Sequence, residues 1–102
     1  SGHAAVGWGL SLVLVETAPD RATQLARRGR EFAQSRVACG VHSQSDVDAG
    51  RDVGAAVVAQ LHGNEEFLTQ LAQARKEVAT ARAAGARPTA DCAAEAAALD
   101  AK

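Results

Sequence analysis

From Ser1 to Val15 the chain carries no formally charged side chain, and Glu16 closes the stretch. Within it, Ala4–Val15 is apolar on nearly every side of the helix it would form. That pattern suits a segment surrounded by other elements, not one lying on a surface. Fifteen residues fall short of the roughly 20 needed to cross a bilayer, and nothing basic precedes them as a secretory leader would require. The stretch predicts a central core helix, and no membrane partner is expected.

The rest of the chain must then supply elements that surround this helix. Pro19-Asp20 breaks the chain, with Asp20 placed to cap the next helix. Beyond it, Ala22, Leu25, Ala26, Gly29, Phe32 and Ala33 recur at three- and four-residue spacing, one apolar stripe of an amphipathic helix. Arg21, Arg27, Arg28, Arg30 and Glu31 fall largely off that stripe and read as a solvated face. Gly40 interrupts, and Ser45 or Asp46 is positioned to cap a third helix striped by Val47, Gly50, Val53, Gly54, Val57, Val58 and Leu61. His62-Gly63 ends it. Asn64 caps a fourth helix, on which Phe67, Leu68, Leu71, Ala74 and Val78 share a face, while Arg75, Lys76 and Arg82 lie toward the C-terminal end of its dipole. Gly85 and Pro88 stop it, and an alanine-rich tail predicts a short helix around Cys92. No strand-like alternation and no internal repeat occurs. The fold class is all-α, a helical bundle.

Its core should be thin. Aromatic side chains are limited to Trp8, Phe32 and Phe67, and much of the apolar content is alanine, which buries little area at about 25 cal/mol per Å². Part of the apolar surface is therefore expected to be covered by something outside these 102 residues. The net charge of -1, from 11 basic and 12 acidic residues, steers the chain toward neither nucleic acid nor an anionic surface. Cys39 and Cys92 could form one disulfide, worth roughly 4 kcal/mol for a loop of that size, or remain two thiols.

Few side chains offer chemistry. His62, at a helix end, reads as structural. His42 precedes Asp46 by four residues; a carboxylate at that spacing can hold one ring nitrogen and leave the other free to attack or to bind metal. His3, His42, Asp46 and Asp48 could supply metal ligands, but no HExxH or paired-cysteine spacing occurs, and no metal is expected.

Order and spacing add more than any single residue. Ser1-Gly2-His3 is followed, after 31 residues, by Ser35-Arg36-x5-His42-x3-Asp46. This resembles the second and third motifs of the class A bacterial acid phosphatases, in the type 2 phosphatidic acid phosphatase superfamily that includes the vanadium haloperoxidases. The stretch SRVACGVHSQSDVDAGRDVGAAVVAQLH extends the likeness, which runs from Ser1 to about Val78. The resemblance implies the C-terminal part of a single acid phosphatase domain, with no cofactor and with phosphate or vanadate able to occupy the pocket. It implies His42 as the nucleophile attacking phosphorus, Asp46 as its support, His3 as general acid, and Ser1, Gly2 and Arg36 as holders of the phosphoryl oxygens. It also implies a phosphomonoester substrate and a periplasmic or secreted location, where a Cys39–Cys92 disulfide is favoured.

The chain departs from the family pattern at one motif. Lys-x6-Arg-Pro is absent: the single Arg-Pro is Arg87-Pro88, and residue 80 is threonine. The proline expected before Ser1 is also absent. An N-terminal half of the same enzyme is thus the expected partner, self-association through exposed apolar surface is a further expectation, and little turnover is expected without the missing cations. A haloperoxidase and a non-catalytic phosphate-binding fragment are the competing readings; a membrane lipid phosphatase would need several longer apolar spans.

Overall fold

The computed structural model describes residues 1–100 as five α-helices and one 3-10 turn. In chain order they are α1 (Gly2–Thr17), the turn Pro19–Arg21, α2 (Ala22–Ala38), α3 (Gln44–Leu61), α4 (Glu65–Ala83) and α5 (Cys92–Asp100). No strand occurs among the described residues, in keeping with the all-α pattern.

The apolar first segment is the most widely contacted element of the fold but is not surrounded as expected, since Val6, Leu10 and Leu14 leave one side of it exposed. Helix α1 packs against α2, α3 and α4. It stops where Pro19 forces Ala18 out of the helical region, to φ -143° and ψ 71°. Contacts of Gly7 with Phe32, and of Ser11 with Gly29, run α1 and α2 antiparallel. Ser1 and Ala4 meet Gly50, Ala5 meets Gly54 and Gly9 approaches Val58, so α1 and α3 run parallel. That parallel contact is made of small residues. A Cβ at Gly50 would lie 2.5 Å from the Ser1 carbonyl oxygen, and one at Gly54 would lie 2.5 Å from that of Ala5. Only glycine lets these two backbones come so close.

As a result the N-termini of α1 and α3 and the C-terminus of α2 share one end of the molecule. The tightest burial is at that end as well: Ala4, Ala33 and Val47 are fully buried, with Val37 against them. The thin core has the expected counterpart. The molecule is a slab measuring 40 × 36 × 19 Å, and Val6, Leu10, Leu14, Val53 and Val57 are exposed on it. Val6 and Leu10 form a ridge between two apolar grooves, of about 290 Å³ toward α3 and about 360 Å³ toward α2.

Three details differ from the sequence reading. Asp20 does not cap α2; its carboxylate is held in a fork by Arg82, at 2.8 and 2.7 Å, which brings its pKa down to about 2. The cap of α3 is Ser43, not Ser45 or Asp46. Helix α3 does end at His62-Gly63 as expected, without a left-handed glycine; among the described residues that region is occupied by Gly40 and Gly85. The Arg27 and Arg28 face is not simply solvated: these side chains pair with Asp100 and Glu95 and hold α5 against α2.

The cysteines are both free and exposed. Cys39 follows the last residue of α2, while Cys92 borders Arg21 and Leu25 at its start. A helix of 17 residues rises about 25 Å, whereas a disulfide needs Cα atoms within roughly 7 Å. The expected Cys39–Cys92 bond is not formed, because α5 begins beside the wrong end of α2. No helix among the described residues is long and apolar enough to cross a membrane.

Candidate active site

Helix α2 ends in a Schellman motif built on Gly40, whose φ is +73°. The Gly40 amide donates to the Val37 carbonyl at 2.9 Å and the Val41 amide to that of Arg36 at 3.1 Å. The Arg36 carbonyl also accepts from the His42 amide at 3.2 Å. The backbone carrying His42 is therefore fixed by the end of α2.

Helix α3 begins immediately afterwards with a capping box. Ser43 Oγ accepts from the Asp46 amide, and Asp46 Oδ2 accepts from the Ser43 amide, each at 3.2 Å. The same Oδ2 lies 3.1 Å from Nδ1 of His42. Ser43 was not singled out from the sequence, although Ser-x-x-Asp before an apolar run is its signal. The hydrogen bond from His42, followed by that from the Ser43 amide, holds the Asp46 carboxyl below its usual range. An ionised Asp46 accepts the Nδ1 proton of a neutral His42, so the lone pair falls on Nε2. With its side chain one-third exposed, that ring presents a basic nitrogen at the surface.

The N-terminus of α1 joins this corner. The Ser1 nitrogen donates to the Asp46 carbonyl at 3.0 Å, and the Ser1 hydroxyl caps α1 by accepting from the Ala4 amide at 3.2 Å. Gly2 opens the helix with no atom within 4 Å of where a Cβ would stand. His3 lies on the first turn, its ring centroid 6.4 Å from that of Phe32. The next turn of α2 carries Arg36. The guanidinium of Arg36 makes two long contacts within its own turn, to Ser35 Oγ at 3.4 Å and Cys39 Sγ at 4.0 Å; its tie to His42 is through the backbone.

The arrangement gathers two parallel helix N-termini at one corner, each with free N–H groups and the positive end of a dipole, which suits an anion. His42, Asp46, Ser1 and Gly2 converge there, with His3 and Arg36 on the adjoining turns. Neither apolar groove is lined by His3, His42 or Arg36. Among the described residues, no three His, Cys, Asp or Glu side chains group as metal ligands.

Comparison with known proteins gives a consistent result. The chain is 58% identical over 78 residues to a non-specific acid phosphatase of Salmonella typhimurium, covering 76% of the chain and 31% of that protein. It is 52% identical over 79 residues to a non-specific acid phosphatase of Providencia stuartii, covering 78% and 32%. It is 41% identical over 88 residues to an acid phosphatase of Zymomonas mobilis, covering 86% and 33%. No protein-family model matches. The chain spans about a third of the length of the curated relatives it matches.

Proposed function

Because the chain belongs with the class A non-specific acid phosphatases over the third of their length that it spans, we propose that it carries the nucleophile of a phosphomonoester hydrolase. His42 Nε2 attacks phosphorus while the ester oxygen leaves in line. Protonated His3 donates its proton to the leaving alkoxide, which departs as the alcohol. Water then attacks the phosphohistidine, the N–P bond breaks, and His3 takes the water's proton as inorganic phosphate forms. Asp46 keeps the His42 proton on Nδ1 throughout. Ser1, Gly2 and Arg36 hold the equatorial oxygens, where phosphoryl transfer requires charge neutralisation and alignment.

The observation that carries this reading is the Nδ1–Asp46 contact of 3.1 Å beside the paired N-termini of α1 and α3. The guanidinium of Arg36 must swing from its own turn to reach a phosphate, and its two long contacts offer little resistance. The pocket needs more cationic groups than this chain provides. Each electrostatic contact of this kind is worth about 3–4 kcal/mol in the transition state. The remaining length of the relatives is the source we assign for those groups, and its helices would also cover the Val6, Leu10, Val53 and Val57 face. The cellular location that fits this family reading is the periplasm or the exterior.

The test is complementation. The 102-residue chain mixed with a polypeptide covering the rest of the Salmonella typhimurium relative should hydrolyse p-nitrophenyl phosphate, and His42→Ala should abolish it. Hydrolysis that survives His42→Ala would remove the nucleophile from this account. Full turnover by the chain alone, lost in His42→Ala, would remove the need for the additional length.

A further inference from the structure

At the opposite end of the α1–α3 pair, His62 is bound at both ring nitrogens. Nδ1 lies 2.7 Å from the Val58 carbonyl oxygen, and Nε2 lies 2.7 Å from Glu16 Oε1. Both partners are acceptors. A neutral imidazole carries one N–H and can satisfy one of them, so both bonds at once require the doubly protonated ring. The carboxylate comes from the last turn of α1 and the imidazole from the C-cap of α3, so the contact ties the C-terminal ends of the two helices whose N-termini form the candidate site. The other groups around it are on α4: Phe67 meets the ring edge-on at 5.4 Å between centroids, and Arg75 donates from Nε to the Glu16 carbonyl at 2.8 Å. Along the helices between clamp and site, small residues pack the pair closely at Gly9, Gly50 and Gly54. Such a contact transmits a shift in register with little slack.

We infer that His62 is a proton-operated clamp, a positioning residue that as imidazolium fixes the axial register of α1 against α3 and releases it when deprotonated. The clamp rests on contacts remote from the phosphate corner; its meaning for catalysis rests on the reading proposed above. The hydrogen bond to Val58, with that to Glu16, raises the pKa of His62 above the ordinary imidazole value of 6.5. A raised value gives stability that is complete below 6.5 and is lost as pH climbs through the folded-state pKa. The clamp's contribution is therefore complete in mild acid, below 6.5.

The test requires no phosphatase activity, so its outcome is separable from that of the functional reading. In NMR titrations of the wild-type chain, His62 should have a midpoint above 6.5, and the Gly9 and Gly54 amides should shift with that midpoint. The melting temperature of wild type should fall across the same window by more than that of His62→Gln or Glu16→Gln. A His62 midpoint at or below 6.5, Gly9 and Gly54 amides that do not follow it, or a wild-type melting profile parallel to His62→Gln would each overturn the inference. The titration needs only wild-type protein, so a variant that fails to fold leaves the test intact.

Discussion

Oδ2 of Asp46 stands 3.1 Å from Nδ1 of His42, and the same oxygen accepts the Ser43 amide at 3.2 Å. One carboxylate thus closes the first turn of α3 and orients the ring that precedes it. Helix formation and ring orientation are coupled at this residue.

That coupling predicts the tautomer of His42. For the neutral ring in the wild-type chain, nitrogen NMR should show the proton on Nδ1 and an unprotonated Nε2. Asp46→Ala should move the population toward the Nε2–H form. In the complemented enzyme it should also lower turnover, within the 10²- to 10⁴-fold range typical of positioned acid–base groups.

Acid should weaken this corner, and the Asp20–Arg82 pair at the other end of α1, in a window separate from that of His62. A carboxyl whose folded-state pKa is depressed gives stability present above its unfolded value of 3.8 and lost as pH falls through the folded value. Melting temperature should therefore decline below pH 4, continuing toward about 2 through Asp20. Asp20→Asn should remove the lower part of that decline, and Asp46→Asn the part belonging to Asp46.

The glycines divide by what surrounds them. Gly50→Ala would drive a methyl against the Ser1 carbonyl, and overpacking of this kind costs about 1–3 kcal/mol. Gly40→Ala meets no atom within 4 Å but must keep φ at +73°, a conformational cost of roughly 1–2 kcal/mol. Gly2→Ala has both space and a helical backbone, so urea melts should show no loss. In the complemented enzyme Gly2→Ala should nevertheless weaken inhibition by inorganic phosphate, since the proposed function puts the anion against Gly2.

The open apolar face predicts self-association when nothing covers it. Sedimentation of the isolated chain should depend on concentration, and Leu10→Asp or Val57→Asp should return it toward the monomer without unfolding, since both side chains are about half exposed. Complementation by the rest of a relative's length should suppress self-association as well.

Thiol chemistry offers a direct check on the two ends of α2. Both Cys39 and Cys92 should react with an aromatic disulfide reagent in the folded chain, and non-reducing peptide maps should contain no Cys39–Cys92 link.

What the sequence determined is local. Apolar spacing set the helices, Pro19, Gly40 and Gly85 set their ends, and His42 four residues before Asp46 was readable as a pair because one helical turn brings them together. The polar devices were less legible where several residues compete for one role: Ser43 outranked Ser45 and Asp46 as cap, and Arg82 took Asp20 from α2. Only the tertiary structure decided which distant groups meet. Ser1 reaches Asp46, and Glu16 reaches His62, because glycines let α1 and α3 run parallel in close contact. Cys39 and Cys92 stay apart because α5 docks beside the start of α2. Periodicity states which face of a helix will be buried; direction and register come from packing against partners far along the chain, and no short window of sequence contains both sides of that contact.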